Sequence, residues 1–354
     1  MKLTHKFPII TITIALIIIS AVSCSKKETP VPANNSGASP VPVYDFKNTT
    51  AIYPTIGLGV DASGNVYVAD FVENIIKMVT PAGVTTIIAG SGHLGSSNGT
   101  GSAASFNFPS GLALDAANNI YIADSGNNLI RKITSAGVVT TIAGSGTVGS
   151  ANGMGVSASF SFPQGIAVDN TGNIYVADTG NDLIRKISPD GMVSTLAGKV
   201  AAGKTNGTGT QATFNIPQGV AVDNFGNVYV ADAGNNIIRE ITPAGVVSTF
   251  AGNGYIMSTD GIGIQASFDF PNAISIDTAG DLYITDGGSN KVREINPNKN
   301  VYTLDFSNLA FGSQFPRFGG STFPLPIYPN GIATDSKGAK VYVSDYGNNW
   351  IEIF

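Results

Sequence analysis

Short runs of consecutive apolar residues, separated by turns rich in glycine, asparagine and aspartate, recur along most of the chain. In one typical unit the apolar runs cover residues 111–115, 120–123, 129–133 and 138–143. The segment between the first two runs, Asp-Ala-Ala-Asn-Asn, favours a hairpin turn, because aspartate bonds to its own backbone and asparagine tolerates positive φ. The pattern therefore predicts a four-stranded antiparallel meander in each unit.

The units repeat with an almost constant length. The first apolar run of each unit ends at an aspartate, and successive aspartates of this set are 54 residues apart four times and 58 apart once: Asp61, Asp115, Asp169, Asp223, Asp277 and Asp335. The second run ends at a second set with nearly the same spacing: Asp70, Asp124, Asp178, Asp232, Asp286 and Asp345. A fixed period of this kind is typical of a repeat architecture with six copies of one supersecondary unit.

The composition of the strands indicates how the six units assemble. Strands such as Ile-Tyr-Ile-Ala at 120–123 are apolar at consecutive positions, so both of their faces are expected to be covered. Four-stranded sheets packed face to face in a ring meet that requirement, which predicts an all-β, six-bladed β-propeller. The first strand of each blade is expected nearest the axis, where small residues recur: Gly59, Ala113, Ala167, Ala221, Ser275 and Ala333.

The two ends of the repeat region suggest how the ring closes. The sixth unit contains only three predicted strands, the last of them at 350–354. Residues 41–46, which precede the first unit, belong to no repeat. We expect this N-terminal segment to supply the outer strand of the last blade and so to remove an exposed sheet edge.

The repeated motifs resemble those of the NHL repeat. The units approximate the order Pro-x-Gly-Ile-Ala-Val-Asp, Gly-Asn-Ile-Tyr-Val-Ala-Asp and Asn-x-Leu-Ile-Arg-Lys-Ile, and the resemblance covers roughly residues 45–354. The resemblance implies the propeller fold but is nearly silent on activity, since such propellers serve as sensors, scaffolds, binding modules and occasionally lyases.

The N-terminal residues indicate export. Two lysines precede a predominantly apolar run of 14 residues, 9–22, which is short for a membrane span and typical of a signal peptide. Ala-Val-Ser-Cys at 21–24 resembles a bacterial lipobox, although ordinary cleavage before Cys24 is the alternative. We therefore predict a signal peptide at 1–23, a lipidated Cys24 with a Pro-rich tether to residue 43, and a propeller at 44–354. The expected location is extracytoplasmic, at the outer membrane or cell surface.

Charge and cysteine content narrow the possible partners. The chain has a formal net charge of −5 and a single cysteine. An acidic chain without a basic stripe argues against nucleic acid, and one cysteine excludes an intramolecular disulfide. We expect a monomer that binds a glycan or an envelope protein.

The repeated charged residues favour structural roles. Six equal copies of an aspartate suit turn capping better than catalysis, which needs one set of unequal groups. Cations recur in the third strands, and we interpret them as blade-to-blade ion pairs: Lys77, Arg131, Arg185, Arg239 and Arg293, with Glu352 in the last copy. One histidine, His93, remains after the signal peptide, which excludes a histidine-rich zinc site. No catalytic residue, metal site or cofactor is predicted. Calcium at the Asn-Gly loops between blades is the open alternative.

The places where the repeat is broken mark a candidate binding site. The turn after the second strand contains Phe71 and Glu73 in the first unit and Tyr346 in the sixth, with Trp350 in the strand that follows. These units become neighbours once the ring closes, so aromatic groups beside a carboxylate would gather at the seam and suit a glycan or peptide. The alternative is that they fill gaps at the seam. We therefore expect a binding or scaffold module, with a carboxylate- and divalent-cation-dependent lyase or lactonase as the competing class.

Overall fold

The computed structural model describes residues 55–304, 328–335, 340–345 and 350–353. All of them belong to one compact unit, Pro40–Phe354. The predicted signal peptide, Cys24, the tether and the closing segment at 41–46 lie outside the described residues, as does most of the long loop at 307–328.

The described residues form six antiparallel sheets. The first two contain β1 (Thr55–Val60), β2 (Val66–Asp70), β3 (Ile75–Val79) and β4 (Thr85–Ala89), then β5 (Gly99–Thr100), β6 (Pro109–Leu114), β7 (Ile120–Asp124), β8 (Leu129–Ile133) and β9 (Val138–Ala143). The third contains β10 (Gly153–Met154), β11 (Ile166–Val168), β12 (Ile174–Asp178), β13 (Leu183–Ile187) and β14 (Met192–Gly198).

The fourth contains β15 (Gly207–Thr208), β16 (Pro217–Val222), β17 (Val228–Asp232), β18 (Ile237–Ile241) and β19 (Val246–Ala251). The fifth contains β20 (Gly261–Ile262), β21 (Pro271–Ile276), β22 (Leu282–Asp286), β23 (Lys291–Ile295) and β24 (Asn300–Thr303). The sixth contains β25 (Pro329–Thr334), β26 (Val341–Asp345) and β27 (Trp350–Ile353).

Short 3₁₀ helices follow the extra outer strands and the second strands of the middle blades. They span Gly101–Ala103, Ser125–Asn127, Gly155–Ser157, Thr179–Asn181, Gly209–Gln211, Ala233–Asn235, Gly263–Gln265 and Gly287–Ser289.

The all-β propeller is confirmed, but the prediction of six equal four-stranded blades needs two corrections. Five sheets are complete blades, whereas the sixth has three strands among the described residues, because the segment expected to supply its fourth strand lies outside them. Four of the complete blades have a fifth, two-residue strand at the outer edge. This strand comes from the Asn-Gly loop, where Gly99 pairs with Val139 and Thr100 with Val138.

Packing between the first and sixth sheets shows that they are neighbours. Leu58 and Val68 of the first sheet share one buried cluster with Ala333, Tyr342 and Ile351 of the sixth. The ring therefore brings the two sheets together, as the sequence predicted.

Small residues in the first strands allow the blades to meet closely at the axis. A Cβ atom added at Gly111 would lie 2.0 Å from the carbonyl oxygen of Gln164 in the next blade, and one added at Gly165 would lie 2.1 Å from that of Gln218. Such distances are far below van der Waals contact, so these positions exclude any side chain.

The two ends of the sheets carry different connections. We call the end at which the first strands begin the loop face; it also carries the turns between second and third strands and the connections between blades. The opposite face carries the Asp-x-x-Gly-Asn turns, which join first to second strands.

The first set of aspartates caps the turns of the opposite face, as expected. Asp115 Oδ1 accepts hydrogen bonds from the backbone N–H groups of Ala117 and Asn119, each at 2.9 Å. The Tyr121 hydroxyl donates to Asp115 Oδ2 at 3.0 Å. Burial, together with this neighbouring carboxylate, raises the pKa of Tyr121 to about 12. Burial and the charge of Asp61 raise the pKa of Tyr67 to about 12 in the same way.

The tyrosine pKa values predict a loss of stability in alkali. An unfolded tyrosine ionises near pH 10, whereas Tyr67 and Tyr121 resist ionisation in the folded protein up to about pH 12. The stability that these two groups contribute should therefore be fully present below pH 10. The free energy of unfolding should fall as the pH rises from 10 to 12. Urea unfolding at several pH values tests this. A Tyr121→Phe variant should show a shallower fall than the wild type; an equal slope would contradict the assignment.

Candidate functional site

Buried cations tie the connections on the loop face to the blades. The Arg131 side chain is fully buried, and its Nη1 lies 2.7 Å from Asp124 Oδ2 in the same blade. Its Nη2 donates to the Ser97 carbonyl and to Asn98 Oδ1 in the connection that leads into that blade. The predicted blade-to-blade ion pairs are thus corrected to pairs within a blade. Asp124 pairs with Leu129 in the sheet, and Arg131 lies two residues further along the same strand, so the two charged side chains are diagonal neighbours on one face. Phe106 packs under the guanidinium, 5.3 Å from it.

The first blade replaces this arrangement with a different set of side chains. Lys77 stands in the position of the arginines, and its Nζ lies 2.8 Å from both Asp70 Oδ2 and Glu73 Oε2. Glu73 in turn stands where Asn127 occurs in the second blade, and Asn127 donates to Asp124 and to the Gly95 carbonyl. The Glu73 carboxylate therefore supports Lys77, and 23% of its side chain remains exposed.

The structure places part of the predicted seam site. The Phe71 ring lies 6.4 Å from the ring of Phe108 in the next blade, measured between ring centroids. Tyr346 lies outside the described residues, and Trp350 is described only as part of β27, without its side chain. The grouping of Phe71 with Tyr346 and Trp350 thus stays a prediction.

Phe71 also adjoins a larger feature, which the sequence analysis missed. Five large apolar side chains on the loop face occupy equivalent positions, each directly before a proline, and are between 39% and 47% exposed: Phe108, Phe162, Ile216, Phe270 and Tyr328. We call this set the apolar ring. The recurrence of an apolar residue before each proline, as in Phe-Ser-Phe-Pro at 160–163, is the sequence signal that could have revealed it.

Four members of the apolar ring have left-handed backbone conformations. The φ angles are 50° at Phe108, 48° at Phe162, 51° at Ile216 and 53° at Phe270. Bulky and β-branched residues rarely adopt such angles, which cost of order 1–3 kcal/mol each. Strain of this kind persists only where the surroundings impose it, and it concentrates at functional sites.

Hydrogen bonds from the preceding blade impose this conformation. The N–H of Phe108 donates to Asn74 Oδ1 at 2.9 Å, and the N–H of Phe162 donates to Asn128 Oδ1 at 2.8 Å. In the same way, the N–H of Ile216 donates to Asp182 Oδ1 and the N–H of Phe270 donates to Asn236 Oδ1. Each of these four apolar side chains is therefore presented to solvent by a contact that joins two neighbouring blades.

Polar groups lie beside the apolar ring toward the axis. The residue after each of the five prolines carries a hydroxyl or a carboxamide: Ser110, Gln164, Gln218, Asn272 and Asn330. Gln218 of β16 and Asn272 of β21 line a cavity of about 260 Å³ that is formed by the first strands. Gln164 Oε1 is buried and accepts no hydrogen bond from the described residues. The loop face thus combines uncharged hydrogen-bonding groups with exposed apolar ones.

Clusters of metal-binding side chains and membrane-spanning helices are both absent from the described residues. Within residues 55–304 and the three shorter described ranges, no group of three or more histidine, cysteine, aspartate or glutamate side chains could hold a metal ion. His93 lies exposed in a connection between blades. The described part of the chain includes no helix that is long and apolar enough to cross a membrane.

The chain contains NHL repeats. The model of the NHL repeat matches residues 106–133, 160–187 and 214–239, which lie in the second, third and fourth blades. A curated relative, the protein SUPPRESSOR OF QUENCHING 1, chloroplastic, of Arabidopsis thaliana, is 34% identical over 283 residues, which are 75% of this chain. The chain spans 26% of the length of that plant protein.

Solved structures similar to this chain include binding proteins and enzymes. An auxiliary nutrient binding protein from Bacteroides thetaiotaomicron has a TM-score of 0.61 at 11% identity, over 86% of this chain and 69% of that one. Virginiamycin B lyase from Staphylococcus aureus has a TM-score of 0.54 at 16% identity, over 86% of this chain and 94% of that one. At these identities the likeness shows the shared propeller fold.

Proposed function

We propose that this chain is an exported, membrane-anchored binding module whose loop face holds a glycan. The observation that carries the proposal is the apolar ring with its neighbouring carboxamides. Five exposed large side chains, four of them in strained conformations imposed by the preceding blade, are presented around one face. Exposed apolar groups arranged in this way are characteristic of binding surfaces.

The chemistry of the loop face favours sugars. Phenylalanine and tyrosine rings offer apolar faces on which the C–H groups of a pyranose can pack. The carboxamides of Gln164, Gln218 and Asn272 can each donate and accept hydrogen bonds, which matches the hydroxyl groups of a sugar. The five polar residues that follow the prolines are all uncharged, so a neutral ligand meets no uncompensated charge at these positions.

Two further observations are compatible with this role. One fold neighbour is described as a nutrient binding protein, which supports a binding function although its identity to this chain is 11%. The predicted lipid on Cys24 and the Pro-rich tether would hold the propeller at a distance from a bacterial membrane, where extracellular glycans are accessible.

Retardation in affinity gels tests the glycan proposal. Residues 41–354 should be retarded by at least one member of a panel of neutral polysaccharides, and the variant Phe162→Asn/Phe270→Asn should lose most of this retardation. Asparagine removes the apolar side chains but tolerates positive φ, so the fold should be preserved. The failure of every polysaccharide to retard the wild type would contradict glycan binding and direct the search to a protein partner.

A matched variant separates the apolar ring from general surface effects. Val156 and Ile264 are also in the third and fifth blades, 61% and 66% exposed, but in the outer 3₁₀ turns. Val156→Asn/Ile264→Asn should leave retardation unchanged, whereas an equal loss in both double variants would argue against the apolar ring.

Phe71→Ala/Tyr346→Ala tests the narrower seam site. Metal analysis of the purified protein tests the enzymatic alternative, which stoichiometric tight metal would favour.

A further inference from the structure

A crevice lies on the opposite face, between the third and fourth blades. Its side chains differ from those at the other blade junctions of this face. It encloses about 290 Å³, and its walls include Leu196, Phe225 and Pro243 together with Asn170, Lys186 and Asn224. This volume suits one small ring-shaped group. The crevice is on the far side of the blades from the apolar ring, so it forms no part of the loop face.

Phe225 is the residue that distinguishes this crevice. It occupies the third position of the Asp-x-x-Gly-Asn turn, where the other blades with described turns have Ser63, Ala117, Thr171 and Ala279. The Phe225 side chain is 85% exposed, so the fold does not use it for packing. A large aromatic group that departs from the repeat and remains in water indicates a binding role.

Uncharged hydrogen-bonding groups line the crevice together with Phe225. Asn170 Nδ2 donates to Asn224 Oδ1 at 2.9 Å across the blade junction. Among the described residues, the Asn170 carbonyl and the Asn224 amino group make no side-chain hydrogen bond of their own, so both remain available to a ligand. They can accept from and donate to hydroxyl groups.

The charges at the crevice disfavour an anionic ligand. Asp169 and Asp223 both line it, and each accepts hydrogen bonds from its own turn. The cation nearby is Lys186, whose Nζ lies 5.6 Å from the centroid of the Tyr175 ring. Two carboxylates against one ammonium leave a negative balance, which repels a second anion but can accept hydrogen bonds from neutral hydroxyl groups.

We infer that this crevice binds one neutral sugar ring, with an apolar face of the ring packed against Phe225 and its hydroxyl groups bonded to Asn170 and Asn224. The combination of an exposed aromatic wall, free carboxamide groups and a small volume carries the inference. It is independent of the proposal for the loop face, because the two sites share no residue.

Saturation-transfer NMR of the purified full-length chain with D-glucose, D-galactose, D-mannose and N-acetyl-D-glucosamine tests the inference. At least one sugar should bind, and Phe225→Thr, which introduces the residue of the third blade, should weaken binding by about tenfold or more. Lys186→Gln should also weaken it. The matched change Lys132→Gln should not, because Lys132 lies over Tyr121 in the same way, but the blade that follows has Thr171 at the position equivalent to Phe225.

Three results would overturn the inference: no binding of any of the four sugars to the wild type, equal binding to Phe225→Thr, or loss of binding in Phe162→Asn/Phe270→Asn alone. The last result would assign the sugar to the loop face instead. Thermal melting of Phe225→Thr should match the wild type because the side chain is exposed, so a folding defect will not imitate lost binding.

Discussion

Replacing Arg185 by methionine is expected to lower the free energy of unfolding by about 3–5 kcal/mol, because the change leaves a buried carboxylate without its cation. The Arg185 Nη1 lies 2.9 Å from Asp178 Oδ2, and both side chains are fully buried. Arg185 also donates to Asn152 Oδ1 at 2.8 Å, so the change would release the connection between the second and third blades as well. Urea unfolding followed by circular dichroism measures the effect.

The first blade supplies the control for this prediction. In the first blade, Lys77 and Glu73 stand where the third blade has Arg185 and Asn181. The Lys77 Nζ lies 2.8 Å from Glu73 Oε2. Arg185→Lys should therefore destabilise the protein, and adding Asn181→Glu should restore about 1 kcal/mol or more as a coupling energy. A methionine variant as stable as the wild type, or a double variant with no coupling, would show that the buried pair does not hold the connection.

Cys24→Ser is expected to move almost all of the protein from the membrane fraction to the soluble fraction. The reason is that acyl chains on this cysteine would anchor the protein, each buried methylene contributing about 0.8 kcal/mol. Fractionation of cells by ultracentrifugation, combined with labelling by a radioactive fatty acid, measures both the location and the modification.

Ser23→Ala is the matched control for the cysteine variant, since it keeps the thiol and a small residue at the cleavage site. It should remain in the membrane fraction and incorporate the label. If Cys24→Ser and the wild type distribute equally, and neither takes up label, the segment is an ordinary signal peptide and the lipid anchor is absent.

Much of the fold could be predicted from the sequence because each blade repeats one set of local signals. The Asp-x-x-Gly-Asn turns, the strands apolar at consecutive positions and the 54-residue period each indicate the same architecture. The extra outer strands could not be predicted in this way, since a two-residue strand such as Gly99–Thr100 has no periodicity of its own. Its position depends on the hydrogen bond that Arg131 donates to Asn98, the residue before Gly99.

The candidate site was harder to predict, because it depends on backbone conformation. Phenylalanine before proline usually indicates an extended residue, and positive φ at Phe162 follows only from the hydrogen bond that Asn128 of the neighbouring blade makes. The break in the repeat did direct attention to Phe71, which lies beside Phe108 of the apolar ring. The ion pair between Glu73 and Lys77 was not predicted, because it depends on the positions of the two side chains in the folded blade.

Amide hydrogen exchange, compared with and without the polysaccharide that retards the protein most, tests the binding role of the loop face most directly. Ligand binding at the loop face should slow exchange at segments 106–110, 160–164, 214–218 and 268–272, which carry four members of the apolar ring and their polar neighbours. The turns at 61–65, 115–119 and 277–281 on the opposite face should exchange at unchanged rates. Slower exchange confined to those turns, or no change in any segment, would show that the loop face does not bind the polysaccharide.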